Sequence, residues 1–150
     1  MADGKTHALA SGTVLVLTAA AALPVAAMGH YDIAAGMVAG ATLGHLITPD
    51  LDQPGWTYDE ARIRKTFGLL AANMWRGWTA FYAFTHKHRG ISHIPGIGTA
   101  GRWLFLGWPV ALLVWWIGVE LSPVFVAWMF AFNCVQDFAH LALDRFRLWV

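Results

Sequence analysis

Apolar residues run in long blocks along this chain, and short polar clusters punctuate them. The first block, about Ala8 to Met28, is long enough for the ~20-residue span that a bilayer needs. Pro24 is expected to kink its last turn. Gly29-His30-Tyr31-Asp32 reads as a tight turn into a second block, about 31–48. That block carries Gly36, Gly40 and Gly44 at spacing four, a small-residue stripe that lets another helix approach closely. Pro49 to Lys65 is polar. Thr66 to Thr85 has the length of a span, but Asn73 and Arg76 sit in its middle, and arginine costs roughly 2.5–3.5 kcal/mol at the centre of a membrane helix. Trp75, Trp78, Phe81 and Tyr82 surround that arginine, as in an interfacial belt. The pattern therefore predicts a helix over ~60–84 that lies in the interface and does not cross it. A polar loop, His86 to Arg102, leads to spans at about 103–119 and 124–143, joined by the turn Glu120-Leu121-Ser122-Pro123.

Composition agrees with this threading. Hydrophobic residues make up 57% of the chain and charged residues 13%, against roughly 45–50% and 25% in ordinary globular proteins. So apolar a chain could not cover its own surface in water. The expectation is a single domain over 1–150, an all-α integral membrane protein with four transmembrane helices in two hairpins plus one interfacial amphipathic helix. In this threading Lys5, Arg62, Arg64, Lys65, Arg76, Lys87, Arg89, Arg102, Arg145 and Arg147 all fall on one side, and the opposite turns hold no basic residue. The positive-inside rule makes that side cytoplasmic and puts both termini there. A fifth span would move Lys87, Arg89 and Arg102 outside and lose the asymmetry. The start of the chain loosely fits a secretory signal, but a retained helix is expected because the rest is equally apolar and cleavage would remove His7. The net charge of +1, with basic residues spread over loops, gives no reason to expect nucleic acid. The single cysteine, Cys134, excludes an internal disulfide and reads as a packed residue.

The polar clusters carry the chemistry. In the last span Asn133, Asp137, His140 and Asp144 are spaced four, three, four and form one stripe. His140 and Asp144, one turn apart, can reach a shared ion; alternatively the pair fastens helices together. Asp50 and Asp52 follow Pro49 and can point at one cation or bridge two, or simply end a helix in a solvated turn. His45, one turn earlier, reads as a packing histidine. His88-Arg89-Gly90-Ile91-Ser92-His93 places two imidazoles around a glycine, and Arg89 can clamp an anionic group bidentately; the plain alternative is a basic loop at lipid headgroups. His7 gains meaning only because the threading puts it on the same face. Together these make His7, Asp50, Asp52, His88, His93, His140 and Asp144 seven candidate ligands at one membrane face. Carboxylate mixed with imidazole suits zinc first, and also iron or manganese.

Gly4-Lys5-Thr6-His7, Pro49-Asp50-Leu51-Asp52, His88-Arg89-Gly90-Ile91-Ser92-His93 and His140-Leu141-Ala142-Leu143-Asp144, in this order, resemble the uncharacterised bacterial metal-binding membrane proteins, a family related to predicted membrane-bound metal-dependent hydrolases. The resemblance covers nearly the whole chain. It implies the same seven ligands and a bacterial inner membrane location.

Two function classes follow. One is a cytoplasm-facing metallohydrolase of a phosphoester or ester, with one or two divalent ions, Arg89 as anion clamp and Asp137 or Asp144 orienting His140. The other is a non-catalytic accessory subunit, its aromatic residues packed against lipid or other membrane subunits. Ion transport along the Asn133–Asp144 stripe is a third class, disfavoured because the other spans show no obvious polar partner for it.

Overall fold

In the computed structural model, which describes residues 4–52, 58–85 and 91–144, the regular elements are all helical. They are α1 (Gly4–Ala27), α2 (Tyr31–Leu46), α3 (Tyr58–Thr85), α4 (Ile97–Trp116) and α5 (Pro123–Leu143), with short 3-10 turns at Pro49–Asp52 and Ile91–His93. Helices α1, α4 and α5 are long and apolar enough to cross a membrane. Their flanks expose large apolar side chains such as Val16, Leu23, Leu104 and Trp116, a surface of the kind that marks a membrane or protein contact. At 16 residues, α2 rises about 24 Å, short of the ~30 Å hydrocarbon core.

Glycines end α1 and α4 in the same way. Gly29 and Gly118 have φ of +88° and +72°, and the residue after each donates its backbone N–H five residues back: His30 to Val25, 3.2 Å, and Val119 to Val114, 3.1 Å. This is the Schellman closure, which satisfies carbonyls that the helix end would leave bare. Helix α5 starts on Ser122, whose hydroxyl accepts from the Phe125 N–H, with Pro123 in the first turn.

Helix α2 packs chiefly on α5 and then on α1, and the glycine stripe is the reason. A Cβ on Gly36 would stand 2.6 Å from the Phe125 carbonyl oxygen, and one on Gly44 would stand 2.5 Å from Gln136 Cβ. At Gly40 it would run into the Met129 backbone itself. The two helices meet backbone to backbone, as the sequence stripe predicted. Gln136 locks the three-helix contact by donating its amide to the carbonyls of Ser11 and Ala41, both at 3.0 Å.

Helix α3 is broken at Gly68, where φ is +86° and ψ 175°. Among the described residues, nothing beyond the helix's own adjoining backbone lies within 4 Å of the position a Cβ would take there, so the left-handed backbone is what calls for glycine. Before the break, Arg62 reaches His45 at the end of α2. After it, Ala72, Trp75, Thr79 and Tyr82 form an inward stripe. Tyr82 and Trp75 pack with Leu51, Ile47, Leu106 and Phe105. Phe67, Leu70, Met74, Phe81 and Phe84 face outward.

Two expectations are corrected. Arg102 does not lie in a loop: α4 begins at Ile97, and Arg102 is buried within it. The α5 stripe does have polar partners on another helix. Asp137 pairs with Arg102 and accepts from the Thr99 hydroxyl, and Trp103 Nε1 donates to Asn133 at 2.7 Å. The charge on Arg102 can be buried because an opposite charge on α5 faces it.

Candidate metal centre

Four chain segments bring acid and imidazole side chains to one end of the helices. His7 comes from the first turns of α1, Asp50 from the turn after α2, His93 from the turn before α4, and His140 with Asp144 from the end of α5. Two overlapping triads result, His7-His140-Asp144 and Asp50-His93-His140, with donor atoms within 4.8 Å of one another in each. His140 Nε2 lies 3.4 Å from Asp50 Oδ1 and 3.8 Å from Asp144 Oδ2. His7 Nε2 is 3.4 Å from Asp144 Oδ1, and His93 Nε2 is 3.7 Å from Asp50 Oδ1. The His7 and His140 rings stack with centroids 4.0 Å apart, and His93 meets His140 edge-on at 5.7 Å.

These separations are long for charge-assisted hydrogen bonds, which run about 2.7–2.9 Å. They match the edges of a coordination polyhedron: two ligands each roughly 2.1 Å from a tetrahedral ion stand roughly 3.4 Å apart. His140 Nε2 is buried and makes no hydrogen bond among the described residues. Leaving such a group unsatisfied costs about 1–3 kcal/mol, and a cation at that nitrogen removes the cost. The donor set and its spacing thus fit a divalent ion. An imidazole nitrogen has one lone pair. His140 Nε2 faces both carboxylates, so the two triads share it as a common donor, and its single lone pair serves an ion of one triad at a time.

Asp50 has the charge a ligand needs. Burial on its own would raise its carboxyl pKa, but polar contacts with His140 and His93 and the charges of His140 and His7 outweigh burial. The group is held well below the usual carboxylate range. Its side chain is 20% exposed, whereas those of His7, His93, His140 and Asp144 are 9% or less. The cluster is therefore most open at Asp50.

Five of the seven ligand candidates converge in this way. Asp52 contributes backbone to the Pro49–Asp52 turn, while its side chain, like His88 and Arg89, lies outside the described residues. Asp137 sits three residues before His140 but turns to Arg102 and Thr99. Both ring nitrogens of His45 are engaged, Nδ1 with Ser11 Oγ at 3.0 Å and Nε2 with Arg62 Nη1 at 3.3 Å, in keeping with a packing histidine. Sequence reasoning missed Ser92, Thr99 and Arg102, which surround the His93 turn. A search for a counter-charge to the buried Asp137 would have found Arg102.

The sequence model of the family described as uncharacterized metal-binding protein (DUF2227) matches residues 2–147. No curated protein and no solved structure matches the chain.

Proposed function

The chain belongs to the uncharacterized metal-binding protein family, and from that premise we propose that it is a multi-pass membrane protein. It holds one or two divalent ions among His7, Asp50, His93, His140 and Asp144 and hydrolyses an ester or phosphoester at the membrane face. The observation that carries this is the convergence of five donors from four segments into two triads that share the buried Nε2 of His140. Imidazole with carboxylate suits zinc first, and iron or manganese next. When bound, the ion supplies Lewis-acid polarisation and activates water near neutral pH.

The chain's own residues do the rest. His7, His140 and Asp144 close the buried side of the site. Asp50, ionised and partly exposed, stands on the side open to water. Arg89 would clamp an anionic substrate group, and His88 and Asp52 would add donors on that open side. The substrate's apolar part would stay in the bilayer.

For topology, the reading places α2 as a fourth span that approaches α1 and α5 through its glycines, and α3 along the interface. Two contacts support α3 in that role. Arg62 touches the end of α2, and Tyr82 packs on Leu51 next to Asp50, although twenty residues of straight helix would rise about 30 Å. The basic loops support a cytoplasmic orientation for this end, and the proposed location is a bacterial inner membrane.

The test is elemental analysis of detergent-purified full-length protein, followed by a panel of phosphodiester and ester substrates. One or two ions per chain, with metal and hydrolysis both lost in His140→Ala, support the reading. No retained metal sinks it. Bound metal with no hydrolysis of any substrate removes the catalytic half and leaves a structural ion in an accessory subunit.

A further inference from the structure

We propose that the buried Arg102–Asp137 pair is a positioning device for His93, setting the ring of that ligand from α5 through α4. The inference rests on the metal reading above. Arg102 and Asp137 are 1% and 2% exposed. An ion pair this deep is a poor source of stability, since apolar side chains of similar volume commonly do as well or better. The guanidinium does something an apolar pair cannot. Its Nη2 meets Asp137, while its Nη1 donates to the Ser92 carbonyl at 2.7 Å. Ser92 Oγ in turn lies 3.1 Å from His93 Nδ1.

The order of contacts is thus Asp137, Arg102, Ser92, His93. When Nδ1–H donates to Ser92 Oγ, His93 is the tautomer that presents an Nε2 lone pair to an ion, and that nitrogen is the one facing Asp50. Thr99 ties the same assembly to the start of α4: its hydroxyl accepts from the Gly96 N–H at 3.2 Å and donates to Asp137. The turn that carries His93 is therefore gripped at Ser92 and at Gly96, on both sides of the ligand. Groups that fix a ligating histidine's tautomer and ring orientation typically change metal affinity 10–100-fold when removed.

The test measures zinc affinity by chelator competition on full-length protein in detergent, in a double-mutant cycle. Replacing the pair together, Arg102→Met with Asp137→Leu, avoids leaving a lone buried charge. The expected result is zinc binding weakened by about 10–100-fold, with little further loss when the same replacement is made in His93→Ala. Ser92→Ala should weaken binding less, and again only while His93 is present. Equal losses with and without His93 overturn the positioning role, as does unchanged affinity. Should the double replacement fail to fold by circular dichroism, Ser92→Ala and Arg102→Lys decide by the same criterion. Wild-type protein that takes up no zinc, iron or manganese overturns the metal reading itself, a result distinct from wild-type binding without coupling.

Discussion

Gly44→Ala tests whether the metal centre depends on the closeness of α2 and α5. The new methyl would lie 2.5 Å from Gln136 Cβ and 2.7 Å from Asn133 Nδ2, where ordinary contact begins near 3.4 Å. Gln136 cannot swing clear, because the nearest atom is its Cβ and its amide holds two carbonyls of α1 and α2. The helices must part by about 1 Å, one turn before His140. Metal–ligand distances tolerate only about 0.2 Å, so the ligands on α5 separate from those on α1 and the Asp50 turn. Overpacking of this kind costs ~1–3 kcal/mol, and 1.4 kcal/mol is tenfold in a binding constant. The expected result is zinc affinity reduced roughly tenfold or more, with a lower melting temperature. Chelator competition and thermal circular dichroism in detergent measure the two. Gly12→Ala is the control: among the described residues nothing beyond its own helix backbone lies within 4 Å of its Cβ position, and alanine there should add ~0.5–1 kcal/mol of helix stability. If Gly44→Ala binds zinc and melts as Gly12→Ala does, the packing argument is refuted.

Three further outcomes follow. His140→Ala should remove bound metal more completely than His7→Ala or His93→Ala, since His140 belongs to both triads; equal retention in all three variants would contradict a shared donor. In metal-free protein, Asp50 has a folded pKa below its ordinary 3.8, so its contribution is fully present above that value and fades as pH falls beneath it. The stability deficit of Asp50→Asn should therefore be full at pH 7 and shrink below about pH 4, and chemical denaturation showing a constant deficit would count against the assignment. Single cysteines placed at Asp52 and His88 should react with a membrane-impermeant reagent from the same side; labelling from opposite sides would mean that α3 crosses the membrane.

Much of this was legible because the relevant signals are local. Spacing four in Gly36, Gly40 and Gly44 marks a helix face, and the structure places α5 against it. The clusters around His7, Asp50, His93 and His140 could be gathered at one end from hydrophobic run lengths alone. What spacing cannot show is which neighbour each residue of a stripe will meet. Asn133, Asp137 and His140 share a face of α5, yet they turn to Trp103, to Arg102 and to the metal cluster respectively. Arg102 looked like a loop residue because an isolated arginine is costly in an apolar helix; its partner lies on another helix and is invisible to local pattern. The break at Gly68 was hidden because a glycine inside a helical pattern usually stays helical.

The pairing of His7 with Asp144 joins α1 to the end of α5. A nascent chain entering the membrane helix by helix can build α1 to α4 without making either triad, because both need His140. The ion would then be captured only after α5 has been inserted and docked on α2. Metal uptake would thus act as a late clasp on the assembled α1–α5 unit, and a chain stalled or cut before α5 would hold no ion by either triad.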